Sequence, residues 1–517
     1  MNKKKGGKCS AVIDIGSHLL RMRIAQLKKG EIVEIDRLEY PLHLGHEVFN
    51  EGTISFESLR ELSRILHGYT ETMEGYGVDQ VRVVATTALR EAKNRAYVVD
   101  QLKIQNDLNV QVLEDDQEKT LIYSEMLRSL HEMNDPKIDD ALLTYIGTGS
   151  IGIALFDGKN VAYSQSVPVG SLKLRDVLYS AQEDSEDFHV VMEEYLDAIV
   201  ERIAVSMPRK QVSGLVLSGS DVELVARVLG LRPEQDRYIL SIQQAGALYQ
   251  TIRPLSTEKI SDRLGITEEE ADILYSALSI VSRLFRFSTA EYIILPVVNL
   301  WDGIMRQMLI PKSIDAYYQH LRNGALTCAE AIAEKYGCPR DHAQLVRKFA
   351  AKIFDKTKAV HGLPPYYRLI LELAAILHDC GHYVNTKLHT RSTFDLVKNF
   401  DIYGLTARSM RLVAYVGSYN EFNAPRLEDW NFSDLDEQEK ISASKLVAIF
   451  RLANSLDKSQ KQKLVDIKVR MEHNRLLVSG ETNEDTHLEK WAFAQCSPFF
   501  KEVFGIDPEL TIRLPMI

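Results

Sequence analysis

The sequence predicts an α/β protein in which two similar lobes are followed by a helical region and a small α+β C-terminal part. Two stretches of the first half, Ala11–Leu27 and Leu142–Phe156, each place two apolar β-patterned runs around a Gly-rich turn. From about residue 304 the apolar residues take the spacing of long amphipathic helices. We therefore expect two duplicated lobes, a helical domain and a terminal cap, with the ranges 1–130, 131–303, 304–460 and 461–517.

The composition is that of an ordinary globular protein, with 517 residues, 45% of them hydrophobic, and a formal net charge of −10. This length allows roughly three to four domains. The negative charge argues against a general nucleic-acid-binding protein, which usually presents a basic face. No stretch approaches the roughly 20 apolar residues of a membrane span, and the basic tail Met1–Lys8 lacks the apolar core of a signal peptide.

The cysteines indicate a reducing compartment. They are scattered without the paired spacing of a metal site, at Cys9, Cys328, Cys338, Cys380 and Cys496. Such cysteines are typical of reduced thiols in the cytosol. We therefore expect a cytoplasmic protein that has neither a membrane nor a nucleic acid as its partner.

The first hairpin is predicted from two strands, Ala11–Asp14 and Leu20–Ile24, joined by the turn Gly16-Ser17. The N–H groups at such a tip can converge on an anion, so the turn is a candidate phosphate cradle. Asp14, directly before the turn, lies where a carboxylate could hold a cation or a water molecule.

The second hairpin repeats this design in the segment LLTYIGTGSIGIALF. Its turn contains Gly147, Thr148, Gly149 and Ser150. Two such units indicate a duplicated domain in which two phosphate loops face one cleft.

Two further candidates lie between the hairpins. Arg90 and Asn94 are predicted to share a face of the helix after the strand Gln80–Thr86, where an Arg can clamp a phosphate. The alternative is an ordinary surface Arg. Glu118 lies in the acidic first turn of a predicted helix over Asp116–Leu130, as a candidate catalytic carboxylate or as a simple partner of the helix dipole.

The helical region contains a candidate metal site. A buried helix within Leu369–Asn385 ends at adjacent His378 and Asp379, with His342 upstream and Asp457 downstream. This order resembles the HD phosphohydrolases, in which two His and two Asp bind a divalent metal that activates water. The alternative is a hydrogen-bonded pair at a helix terminus in a domain retained for dimerisation or for threading of the substrate chain.

The last part of the chain predicts a small cap. Val465–Gly480 alternates like a hairpin around Glu472-His473-Asn474, Glu484–Phe504 has helical spacing, and Glu509–Leu514 is predicted as a final strand. This part is too small to fold alone with much stability.

Four segments carry a resemblance to a known family. AVIDIGSHLLRMRI resembles the first phosphate motif of the exopolyphosphatase/guanosine pentaphosphatase (Ppx/GppA) family, in the sugar kinase–actin–acetate kinase superfamily. VRVVATTALREAKN is similar to its ATSALREAxN segment, and VLEDDQEKTLIY to its ISGxEEAxLIY segment. Tyr145–Ser150 falls on the loop DIGGGS, the start of the motif DIGGGSTE.

The resemblance implies actin-like lobes and a phosphohydrolase that releases the terminal phosphate of inorganic polyphosphate, with guanosine pentaphosphate as a second substrate. It implies Glu118 as the general base and Arg90 as the group that neutralises phosphate. We also expect a homodimer. The implied phosphate-binding residues are Asp14, Gly16, Ser17, Gly147, Thr148, Gly149 and Ser150.

Two departures from the family pattern concern a Mg²⁺ ion. Tyr145 stands where the motif begins with Asp, and Gly152 where it ends with Glu. Neither supplies an anionic oxygen to a hard cation. Either Asp14 and the substrate hold the metal, or the first half only senses polyphosphate or a nucleotide while the HD-type centre is the working enzyme. A third possibility is a ligand-dependent scaffold without turnover.

Overall fold

The structure is a computed structural model that describes residues 9–133, 138–147, 149–170, 174, 188–208, 211–421 and 435–514. The chain divides into two compact units, Met1–Leu321 and Arg322–Ile517. Among the described residues, no helix is both long enough and apolar enough to cross a bilayer.

The first sheet of unit 1 has five strands in the order β3-β2-β1-β4-β5. Its strands are β1 (Cys9–Ile15), β2 (Leu19–Lys28), β3 (Glu31–Pro41), β4 (Val78–Ala85) and β5 (Val110–Val112). β1 and β2 pair antiparallel, with Ile15 opposite Leu20, while β4 runs parallel to β1. The first predicted hairpin is confirmed.

The helices of this lobe are α1 (Leu44–Glu51), α2 (Phe56–Tyr76), α3 (Thr87–Glu91), α4 (Arg95–Asn106) and α5 (Asp115–Met133). Ser55 caps α2, since its Oγ accepts a hydrogen bond from the Ser58 amide at 3.2 Å. Buried residues of β1, β2 and β4 pack with those of α1, α2 and α4 in one core.

The second sheet repeats the arrangement of the first. Its strands are β6 (Ala141–Ile146), β7 (Ile151–Phe156), β8 (Val161–Val167), β9 (Gly214–Ser218), β10 (Arg237–Ser241) and β11 (Tyr292–Pro296). They lie in the order β10-β11-β9-β6-β7-β8. The series β8-β7-β6-β9-β11 matches β3-β2-β1-β4-β5 in order and direction, with β10 added at the edge. The predicted duplication is confirmed at the level of strand order.

The helices of the second lobe surround a core of their own. They are α6 (Phe188–Ser206), α7 (Ser220–Val228), α8 (Ile242–Ile252), α9 (Thr257–Leu264) and α10 (Glu268–Leu284), with a short 3₁₀ helix at Phe285–Phe287. The next helix, α11 (Leu300–Leu309), packs against α5 and β1 of the first lobe. The division between the units falls inside the next helix, α12 (Pro311–Lys335).

Unit 2 confirms the predicted change to helices. They are α13 (Arg340–Lys356), α14 (Lys358–His361), α15 (Tyr366–Leu377), α16 (His389–Val397), α17 (Ala407–Ser418), α18 (Glu437–Ser455) and α19 (His487–Phe504), with a 3₁₀ helix at Cys380–Tyr383. A three-stranded sheet contains β12 (Ile467–Glu472), β13 (Arg475–Glu481) and β14 (Asp507–Arg513). The predicted hairpin turns at His473, whose φ is 51°.

Candidate active site

The turns of both hairpins border one cavity of about 800 Å³, which we call the front cavity. Asp14, Gly16, Ser17 and Gly147 are among its lining residues. The two turns close alike, because the Gly16 amide donates to the Leu19 carbonyl at 3.0 Å and the Gly147 amide donates to the Ser150 carbonyl at 3.0 Å. These two amides therefore stabilise the turns. An anion would have to be bound by other groups around the tips of the hairpins.

Asp14 lies at the end of β1 and is buried. Within the described residues its Oδ1 has no hydrogen-bond partner. Burial raises the pKa of Asp14 to about 7, with Glu118 adding to the rise and Arg21 opposing it. The front cavity thus contains a carboxyl group that exchanges a proton near neutral pH.

Glu118 extends from the first turn of α5 and lines the same cavity. Its Oε2 accepts a hydrogen bond from Arg90 Nη1 at 3.1 Å, and the Tyr145 hydroxyl lies 3.4 Å from its Oε1. The carboxylate is 6% exposed, so the charge of Arg90 is what compensates its burial. The structure therefore brings Glu118 together with Asp14 and Ser17 in one space, as the sequence predicts.

Arg90 is held from several sides. Besides Glu118, its guanidinium donates to the Leu113 carbonyl at 2.9 Å, to Thr87 Oγ1 at 3.1 Å and to Asp115 Oδ1 at 3.3 Å. With these contacts Arg90 positions Glu118, and its contact with phosphate stays a prediction.

The predicted partnership of Arg90 with Asn94 is wrong. α3 ends at Glu91, and Asn94 precedes α4. The Asn94 side chain instead bonds both backbone groups of Ile54, donating to the carbonyl at 2.8 Å and accepting from the amide at 3.1 Å. Its role is to join two loops.

The remaining residues of the second turn lie behind the cavity. Ser150 Oγ donates to Asp115 Oδ1 at 2.7 Å, and a Cβ on Gly149 would come within 2.2 Å of Thr87 Cγ2. In the described part of the chain, neither is among the lining residues. Thr148 lies outside the described residues.

Tyr145 occupies the place of the motif's first carboxylate. Burial raises the pKa of its phenol well above the ordinary value. The negative charges of Glu118, Asp14 and Asp221 add to this rise. The hydroxyl is thus neutral, and Gly152, opposite Tyr145 on β7, has no side chain. The second hairpin does not fit a divalent cation, which prefers anionic oxygen ligands.

Asp221 and Trp301 are among the lining residues that sequence reasoning missed. Asp221 is buried in the first turn of α7, after the turn at Gly219. Trp301 forms part of the wall, and the Arg21 guanidinium lies 5.1 Å from its ring centroid. The strand–Gly-Ser–helix pattern before Asp221 was the available signal.

Unit 2 contains a second cluster, which we call the histidine centre. One donor atom each from His342, His378 and Asp379 lie within 4.8 Å of one another, and all three residues are buried. His378 Nε2 lies 3.2 Å from His342 Nε2 and 3.5 Å from Asp379 Oδ1. This is the set of nitrogen and oxygen donors that a transition metal takes.

Asp457 and Asn420 support the centre from behind. Asp457 Oδ2 lies 2.8 Å from His342 Nδ1, on the far side of the ring from His378. It is thus placed to orient His342, as carboxylates behind metal-bound imidazoles do. Asn420 donates to the His378 carbonyl at 3.0 Å, so it fixes backbone.

Four imidazoles act on Asp379. Burial alone would raise its pKa, but His378, His342, His382 and His389 together hold the pKa of Asp379 below its usual range. The carboxyl group is therefore an anion suited to a cation.

Comparisons with known proteins agree with this architecture. The Ppx/GppA phosphatase family matches residues 23–310, and Ppx/GppA phosphatase, domain III, matches residues 326–495. The crystal structure of the Aquifex aeolicus member of the Ppx/GppA family is 22% identical, covering 59% of this chain and 98% of that one, with a TM-score of 0.50. An exopolyphosphatase from Cytophaga hutchinsonii is 18% identical, covering 58% of this chain and 97% of that one, with a TM-score of 0.50.

These solved structures support the fold over more than half of the chain. The family match carries more, because it spans over half of the 517 residues and contains the second hairpin and Glu118. The chain therefore belongs to the Ppx/GppA phosphatase family.

Proposed function

We propose that the front cavity releases the terminal phosphate of inorganic polyphosphate, with guanosine pentaphosphate as a second substrate. The observation that carries this proposal is the position of Glu118, whose carboxylate faces a cavity bordered by both hairpin turns. The family membership supports the reaction class. The Cytophaga hutchinsonii neighbour is an exopolyphosphatase, which supports the choice of substrate.

The side chains around the cavity have different roles in the proposed reaction. Glu118 accepts the proton of the attacking water, while Arg90 orients this carboxylate through its hydrogen bond. Arg21, Arg227 and Arg232 line the cavity and offer positive charge to a polyanion. Phosphoryl transfer depends mostly on such positioning and neutralisation.

The Glu118→Gln variant tests this assignment. We expect phosphate release from long-chain polyphosphate to fall about 100-fold or more, because an amide cannot take the proton. The measurement is the initial rate at saturating substrate. Glu132→Gln is the matched control, since Glu132 lies exposed at the other end of α5 and pairs only at the surface with Arg128. Equal rates for Glu118→Gln and the unchanged protein would remove Glu118 from the mechanism.

A second candidate activity belongs to unit 2, where we propose a metal-dependent phosphohydrolase centre. The convergence of His342, His378 and Asp379 favours it. These residues would hold the ion, which when bound activates a water molecule. Asp457 orients His342, and Gln460 Nε2, 3.3 Å from Asp379 Oδ2, steadies the carboxylate.

Metal analysis of His378→Gln tests the histidine centre. We expect the bound transition metal to fall to less than about a tenth of the unchanged protein, since loss of a ligand costs more than the 10–100-fold loss typical of a supporting residue. His487→Gln, at a fully solvated site where His487 is 92% exposed, is the control and should keep its metal. If the purified protein takes up no transition metal, the second proposal fails.

A further inference from the structure

The space that a side chain at position 152 would need is filled by Lys119 together with the Tyr123 hydroxyl. A Cβ added to Gly152 would lie 2.6 Å from Lys119 Cδ, 2.9 Å from Lys119 Cε and 2.3 Å from the Tyr123 hydroxyl. In the motifs that this chain resembles, position 119 is Ala and position 152 is Glu. The chain has exchanged a small and a long residue between two touching positions, so that the methylene groups of a lysine side chain stand where a glutamate side chain would begin.

Among the described residues, the Lys119 ammonium is bound by oxygen atoms of three residues. It donates to Asp115 Oδ2 at 2.5 Å, to the Ile151 carbonyl at 3.4 Å and to Ser166 Oγ. Its side chain is 4% exposed, so the charge is buried with its partners. The three donors of the ammonium join α5 to the start of β7 and to β8.

Asp115 completes a compact set of charges behind the second turn. Besides Lys119, it accepts hydrogen bonds from Ser150 at 2.7 Å and from Arg90 at 3.3 Å. Lys119, Ser166 and Arg90 hold the pKa of Asp115 below its usual range, although burial acts in the opposite direction. The second hairpin is therefore fixed by a resident ammonium–carboxylate pair.

This arrangement opposes a divalent ion in two ways. The ammonium repels a second cation nearby, and the hairpin offers no anionic oxygen, since Tyr145 carries a neutral phenol and Gly152 no side chain. We propose that Lys119 replaces the divalent cation at the second hairpin, so that the front cavity binds phosphorylated ligands independently of magnesium. The magnesium-independent binding of phosphorylated ligands rests on the proposed function of the cavity.

The number of Mn²⁺ ions bound per chain, measured by electron paramagnetic resonance, tests the role of Lys119. A triple variant, Tyr145→Asp with Gly152→Glu and Lys119→Ala, should bind one Mn²⁺ ion more than the unchanged protein. Tyr145→Asp alone keeps the ammonium and should gain none. The histidine centre is the same in all three proteins, so any Mn²⁺ bound there contributes equally to each count. An equal gain in Tyr145→Asp alone, or no gain in a folded triple variant, overturns the proposal.

Ligand binding by the unchanged protein provides a test that needs no variant. Calorimetric titration with tripolyphosphate should give dissociation constants within about threefold of each other in excess EDTA and in excess Mg²⁺. Binding that is about tenfold or more weaker in EDTA overturns the proposal. Absence of binding in both media would instead refute the proposed function and overturn magnesium-independent binding, while the Mn²⁺ count still decides the role of Lys119.

Discussion

Replacing Asp14 by Asn is expected to stabilise unit 1 at pH 8 by up to about 4 kcal/mol and to leave its stability almost unchanged at pH 4. Burial raises the pKa of this carboxyl from 3.8 to about 7. Each pKa unit corresponds to 1.36 kcal/mol, so the difference of about three units gives this value. Asparagine has nearly the same shape and no charge to bury.

The sign follows from proton binding. Between about pH 4 and pH 7 the folded protein keeps a proton on Asp14 that the unfolded chain has lost. The unfolded state therefore binds fewer protons, and the free energy of unfolding falls as the pH rises through this window. Below it both states are protonated, and above it the loss is complete.

Scanning calorimetry of the full chain from pH 5 to pH 8 measures this effect. The midpoint of the unit 1 transition should rise in Asp14→Asn relative to the unchanged protein, with a gap that grows to roughly 5 °C or more at pH 8. Asp79→Asn, at an exposed position on β4, is the control and should show no growing gap. A gap that is constant with pH would mean that Asp14 ionises normally in the folded protein.

The Gly381→Ala substitution should destabilise unit 2 by more than about 3 kcal/mol, the upper end of ordinary overpacking. A Cβ there would lie 2.0 Å from the His389 carbonyl oxygen and 2.4 Å from the Thr393 amide nitrogen. Both are backbone atoms of α16, which a rotamer change cannot move away. The Gly381 amide also donates to Thr393 Oγ1 at 3.1 Å, so the clash breaks a buried contact.

The control for Gly381→Ala is Gly417→Ala, also in unit 2. A Cβ at Gly417 would lie 3.4 Å from the Ala374 carbonyl and 3.6 Å from His378 Cα, which are ordinary contacts. We expect the unit 2 midpoint to fall sharply in Gly381→Ala, together with metal uptake, and to change little in Gly417→Ala. Similar midpoints for both variants would show that the 3₁₀ helix at Cys380–Tyr383 moves away from α16 at little cost in free energy.

The parts of the site that the sequence predicts are those fixed by local patterns. Gly-Ser turns between alternating runs identify both hairpins. The H…HD…D order also leads to His342, His378 and Asp379, although their neighbourhood depends on the packing of α13 against the end of α15. In these cases a short stretch of sequence already contains the residues that determine the local structure or supply the donor atoms.

The contacts of long side chains could not be predicted in this way. Arg90 reaches atoms on α5 and the loop before it, and Ser150 turns toward Asp115 instead of the cavity. Asp115 and Lys119 are four residues apart on a helix, which predicts an ion pair but not its burial under Gly152. Likewise, the Sγ atoms of Cys338 and Cys380 lie 3.3 Å apart, although 42 residues separate them in the chain.

The repeated strand order has a consequence for how this protein can vary. Each half supplies its own hairpin, and in both the turn is closed by a glycine amide and a carbonyl three residues later. Hydrogen bonds between backbone groups do not depend on the chemistry of the neighbouring side chains. One copy can therefore exchange acidic groups for a phenol and an ammonium while its geometry persists, and the two halves become free to specialise unequally.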